Sequence, residues 1–186
     1  MSRGISISTL IMLLVFCSAV FSEEEIPREG FSPTELEALR QHNKGTESML
    51  ANKFKEAIFY FKKAIEFNPG FTEAFYNLGI TYEKLGKYKD SIEVLKRVIQ
   101  LKPDHANAHY AQGYAYYKLK KYNDAVAAFK QSIKIKPDNS FAHSTLGHVY
   151  ILMGDKEAAR EHYEILKTLD STLASELYHE IIKGKK

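Results

Sequence analysis

The chain has 186 residues, room for one domain of ordinary size with or without a targeting segment and too little for a large two-domain enzyme. Hydrophobic residues make up 45% and charged residues 26%, with 10 Gly and 5 Pro, which excludes a disordered or collagen-like chain, and a mean hydropathy of -0.33 excludes a polytopic membrane protein. The 26 Lys and Arg against 23 Asp and Glu leave a formal +3, too small a bias to predict a nucleic-acid surface, and a single cysteine, Cys17, excludes an internal disulfide framework and a Cys-based zinc site.

Residues 1–22 read as a signal peptide: Arg3 supplies the positive start, Leu10 to Cys17 an unbroken apolar run, and Ala19 and Ser22 the small residues of a cleavage region. Cleavage after Ser22 removes Cys17, so the mature protein would carry no thiol, which suits an oxidising compartment. A retained anchor with the rest of the chain outside the cytoplasm is the alternative, although residues 5–21 fall short of the roughly 20 apolar residues of a spanning helix. Lipidation at Cys17 is a further one, disfavoured by bulky Phe16 directly before it. The expectation is export, to a periplasm or the medium. Glu23, Glu24 and Glu25 then open an acidic linker over 23–32.

The rest of the chain repeats itself. Gly45, Gly79, Gly113 and Gly147 are 34 residues apart, as are Ala57, Ser91, Ala125 and Ala159, then Phe61, Leu95, Phe129 and Tyr163. A fourth column reads Pro69, Pro103, Pro137 and Ser171. Self-similarity at such a period predicts units that cannot bury their apolar faces alone and must stack. In residues 72–105, Phe75, Leu78, Tyr82 and Leu85 recur at helical spacing before Gly86, and Tyr88, Ile92, Leu95 and Ile99 after it, so each unit is two amphipathic helices and a tight turn. The glycine column lets the second helix approach the first, and the prolines end the second helix. Asp104, Asp138 and Ser140 are candidate caps for the helices that follow. Ser32, Pro33 and Glu35 form a capping-box signature that starts the first helix near residue 33. Leu173, Leu177, Ile181 and Ile182 make a last apolar stripe, with Lys183, Lys185 and Lys186 at its solvated end.

The columns Leu78, Gly79, Tyr82, Ser91, Leu95 and Pro103 resemble the tetratricopeptide repeat, and the third unit follows the same pattern with Gly113, Tyr116, Ala125, Phe129 and Pro137. The fourth does so with Leu146, Gly147, Tyr150, Ala159 and Tyr163. The resemblance implies an all-α, right-handed superhelical solenoid of four repeats at 33–71, 72–105, 106–139 and 140–173, closed by a capping helix and basic tail over 174–186. The first repeat diverges: Gln41, Lys44 and Ser48 stand where the family has aromatic, Leu and Tyr.

No catalytic arrangement is present in the sequence. Gly79, Gly86 and Lys87 lie on the repeat frame rather than after a strand, so they make no phosphate loop. His105 and His109 are four apart, but His105 falls in the turn after Pro103 and no third ligand completes a metal set. His109 and His143 share the column of Phe75 and are expected to pack as half-buried aromatics. The expectation is a non-enzymatic protein with no cofactor and no metal.

In such a stack the first helices line the concave side. The resemblance then places Glu73, Tyr76, Asn77, Ile80, Glu83 and Lys84 in the groove from the second repeat and Asn107, Tyr110, Ala111, Tyr114, Tyr117 and Lys118 from the third. The fourth adds Phe141, Ser144, Thr145, His148, Ile151 and Leu152. Tyr110, Tyr114 and Tyr117 share one helix face and offer apolar area with a polar tip, either as a binding anchor or as packing for the next helix. One branch of the family clamps a peptide's terminal carboxylate with Lys, Asn and Arg; here Asn77 fits, while His42, Thr46, Asn107 and Ala111 replace the other partners. The sequence therefore predicts an adaptor that docks a peptide or helix of a protein partner on Tyr and Phe, with no nucleic acid and with a membrane only if the leader stays. The alternative is a structural component acting by self-association as a homo-oligomer or by stacking on another repeat protein.

Overall fold

A computed structural model describes residue 30 and residues 32–183; the leader with Cys17 and the end of the basic tail lie outside these. Among the described residues there are nine α-helices and no strand. They are α1 Pro33–Leu50, α2 Phe54–Phe67, α3 Thr72–Lys84, α4 Tyr88–Leu101, α5 Ala106–Lys118, α6 Tyr122–Ile135, α7 Ser140–Met153, α8 Lys156–Leu169 and α9 Ser171–Lys183. None of the described helices is long and apolar enough to cross a membrane.

Each helix packs on its predecessor and successor, and the odd-numbered helices also touch in sequence, α1 on α3, α3 on α5 and α5 on α7. The even-numbered helices do not touch one another. An inner layer in continuous contact and an outer layer spread apart is the geometry of a curved solenoid, whose concave side is built by α1, α3, α5 and α7. Helix α9 packs on both α7 and α8 and covers the end of the stack.

The glycine column is the closest approach in each unit. A Cβ on Gly45 would stand 2.6 Å from the Phe61 ring, one on Gly79 2.9 Å from Leu95, and one on Gly113 2.8 Å from Phe129. The fourth unit differs from the expectation: the group over Gly147 is Leu177 of α9, at 2.6 Å, while Tyr163 turns to the Tyr178 ring 5.3 Å away. The cap helix thus fills the slot that the in-register Phe61, Leu95 and Phe129 fill elsewhere. Phe61, Leu95, Phe129, Leu146, Leu166 and Val149 are fully buried, and the largest apolar cluster runs from Ala125 on α6 to Ile181 on α9. Leu85, expected in the buried stripe of α3, is instead its exposed C-cap, because the helix has already ended at Lys84.

Helix ends follow the repeat too. Ser32 caps α1 in a complete capping box, its Oγ accepting from the Glu35 N–H at 3.2 Å and its own N–H donating to Glu35 Oε2 at 2.8 Å. The expected caps Asp104, Asp138 and Ser140 do not serve. His105 Nδ1 and Asn139 Oδ1, one register earlier or later, accept from the N–H groups of Ala108 and Ala142. The shift arises because the chain needs a full turn after Pro103 and Pro137 before the next helix can begin.

The turn inside each pair has the same closing bond, from the N–H of Lys53, Lys87, Lys121 and Asp155 to the carbonyl of Ser48, Tyr82, Tyr116 and Tyr150, at 2.8 to 2.9 Å. That closure requires a left-handed residue just before it, and Asn52, Gly86, Lys120 and Gly154 all have φ between 58° and 84°. Lysine is the poorest of the four for this conformation. Lys120→Gly is expected to raise stability by about 0.5–1 kcal/mol, read as a higher urea midpoint. An unchanged or lower midpoint would mean that the side chain of Lys120 offsets its own backbone strain.

The histidine column has a use that periodicity alone did not predict. His109 Nε2 donates to the Pro103 carbonyl at 2.9 Å and His143 Nε2 to the Pro137 carbonyl at 2.9 Å, satisfying carbonyls stranded where the outer helices stop. His143 is buried rather than half-buried, at 3% exposure. With its Nε2–H committed, its Nδ1 accepts from His162 Nδ1–H at 2.9 Å, and the His162 ring stacks on Tyr150. Burial first, then His143 and Lys130, hold His162 down to about 4. An unfolded histidine titrates near 6.5, so the unfolded chain binds this proton first. The stabilisation is therefore complete above that pH and is lost as the pH falls from there toward 4. Since the ring is half-buried, the loss is expected to be about 1–2 kcal/mol. Melting at pH 4.5 and 7.5 checks it: the drop should be smaller in His162→Phe, and an equal drop in both proteins would assign the acid sensitivity to other groups.

Candidate functional site

The concave side is where the tyrosines of α5 meet α7 and the cap. Tyr110, Tyr114 and Tyr117 lie along α5 half-buried, against the large cluster that contains Phe129 and Leu146. The Tyr110 ring packs on Phe129 at 5.6 Å and its hydroxyl meets Thr145 Oγ1 at 3.4 Å. Tyr114 lies 6.0 Å from Tyr117, with the Lys118 ammonium 5.5 Å from its ring centre, a cation–π contact. Each ring of the ridge thus has part of its surface packed against the apolar cluster and part left open.

At the C-terminal end a polar chain crosses three helices. Glu180 on α9 is an acceptor, so His148 Nδ1–H donates to its Oε2 at 2.5 Å. In the neutral ring His148 Nε2 accepts from the Tyr117 hydroxyl at 3.2 Å, with the two rings edge to face. Around it Tyr117, Ser144, Thr145, His148, Glu176, Leu177 and Glu180 line a recess of about 210 Å³. That is below the roughly 300 Å³ at which small-molecule pockets begin, and it has the size of a single side chain.

The other predicted groove residues divide by their surroundings. Tyr76 packs on the His105 ring at 5.0 Å, and Ile80 lies against the cluster of Leu95, Val98, Ala108 and Ala111. Asn77 is held by His42, its Nδ2 2.9 Å from His42 Nε2, so the one residue fitting the carboxylate clamp is tied to its neighbour. Ala111, expected in the groove, is a core residue at 2% exposure. Phe141 is 64% exposed at the start of α7, and Lys118 is exposed. Burial raises the Tyr76 and Tyr110 hydroxyls, and it pushes the Glu83 carboxyl up against the opposing pull of Lys84 and Lys118. Glu176 and Glu180 were not anticipated: α9 stands outside the 34-residue frame, so no column pointed to them.

Of the histidines first weighed as metal ligands, His105 caps a helix and His109 holds Pro103. Among the described residues no group of three or more His, Cys, Asp or Glu could hold a metal ion.

Residues 50–132 match the family model for the anaphase-promoting complex, cyclosome, subunit 3; residues 113–154 match a TPR repeat model and residues 142–172 a tetratricopeptide repeat model. No curated protein matches the sequence. Among solved structures, MamA is 24% identical with a TM-score of 0.69, over 80% of this chain and 91% of that one. YrrB, described as a TPR protein with an unusual peptide-binding site, is 22% identical with a TM-score of 0.69, over 76% of this chain and 74% of that one. The first TPR of Spaghetti (RPAP3), bound to HSP90 peptide SRMEEVD, is 21% identical with a TM-score of 0.63, over 64% of this chain and 95% of that one. At these identities the likeness is one of fold.

Proposed function

From a chain that carries tetratricopeptide repeats, the fold of a protein–protein interaction module, we propose an exported, non-catalytic adaptor whose concave side takes a peptide or helix of a partner protein. The observation that carries this is the Tyr110, Tyr114 and Tyr117 ridge: three half-buried aromatic rings on the inner layer, held by Phe129, Thr145 and His148, form a pre-ordered surface at low entropic cost. Binding of peptides by structural neighbours of the same fold supports the mode. Export rests on the leader pattern of residues 1–22, and N-terminal sequencing of the fractionated native protein tests it.

The groove is tested by placing a photo-crosslinking residue at Lys118 on α5 and, as control, at Lys96 on the outer face of α4. Adducts at Lys118 and none at Lys96 are expected. Adducts at Lys96 alone would move the binding surface to the convex side.

A second reading, assembly by self-stacking, has its own observation. Ile165 and Leu169 on α8 and Tyr178 and Ile182 on α9 remain exposed at the C-terminal end. Light scattering across concentration separates the two, since a strict monomer removes this one.

A further inference from the structure

We propose that the groove selects a partner segment bearing a lysine or arginine, whose cationic side chain enters the recess between α5, α7 and α9; this rests on the adaptor reading above. Size comes first: about 210 Å³ admits one long side chain and no cofactor. Charge comes second. Of the two carboxylates at the recess, Glu180 already accepts from His148 Nδ1–H, whereas Glu176 makes no hydrogen bond or ion pair among the described residues. The recess holds no lysine or arginine of its own, so its negative charge is uncompensated by a permanent cation.

Shape comes third. The Tyr117 ring forms one wall, and the Thr145 and Ser144 hydroxyls stand as further acceptors for an ammonium or guanidinium group, while Leu177 can pack against the aliphatic stem. The recess lies away from His42, Asn77 and Ala111, the positions compared with a carboxylate clamp, and its two carboxylates disfavour an acidic segment there. The tyrosine ridge leads to the recess along α5, which suits an extended segment with apolar or aromatic residues before its basic one.

The test immobilises the full-length protein and passes over it a pool of random amidated dodecapeptides. Retained peptides should be enriched in Lys and Arg over Asp and Glu, and the enrichment should fall as salt rises. Glu176→Gln breaks no hydrogen bond or ion pair among the described residues and should weaken the best basic peptide about tenfold. Glu180→Gln should do so as well, but it also frees His148, so the first variant decides. Retention without a basic bias, or a bias unchanged in Glu176→Gln, overturns the charge selection and leaves the groove reading intact if Lys118 still crosslinks. No retention together with no Lys118 adduct overturns both. Self-association that disappears on ending the chain at Lys183 would also overturn the proposal and assign the recess to the basic tail of a second copy.

Discussion

Phe129→Ala is expected to cost about 3–5 kcal/mol of folding stability, the largest loss of any single change considered for this chain. The ring is fully buried, lies beneath Tyr110, and fills the space over Gly113 that the missing Cβ leaves. Its removal opens a cavity that neighbours on two helices cannot collapse into, since Leu146 and Val149 are themselves buried on the next unit. Because stability in a stacked array is a sum of unit and interface terms, hydrogen exchange should show α5 and α6 opening before α1 and α2. A loss below about 1 kcal/mol, or an even loss of protection along the chain, would mean that this ring is not what joins the third and fourth pairs.

Gly113→Leu attacks the same contact from the other side. A Cβ there would already be 2.8 Å from two carbons of the Phe129 ring, and leucine adds three more carbons beyond it. Overpacking of this kind costs about 1–3 kcal/mol or more, against which the better helix propensity of leucine returns under about 1 kcal/mol. The urea midpoint should fall accordingly. The double variant Gly113→Leu with Phe129→Ala should recover at least about 1 kcal/mol relative to the sum of the single losses, since the new side chain enters the old cavity. Additive losses would show that glycine and phenylalanine act independently, contrary to the geometry.

Much of this was legible without coordinates, and the reason is physical. A residue that must lack a side chain and one that must be large occur together wherever two helices touch, so Gly113 with Phe129 and Gly45 with Phe61 recur at the same period. Local chemistry was legible for the same reason: Ser32, Pro33 and Glu35 complete a cap using only atoms three residues apart. The left-handed column was half hidden, since Gly86 and Gly154 announce it while Asn52 and Lys120 adopt it only because the turn closure compels them. Of the site, the tyrosine face of α5 could be read from helical spacing, but not which flank of each ring is covered.

What the sequence by itself determined is the unit: two amphipathic helices, their stops, and the number of copies, all set by contacts within about one period of chain. What only the tertiary structure decided is where the units meet something unlike themselves. Leu177 over Gly147 and Glu180 on His148 each depend on side chains of α9, a helix whose placement no periodic column encodes. The cap helix ends the repetition, and once neighbours cease to be equivalent, packing of the particular side chains sets the register and shapes the recess at the end of the groove.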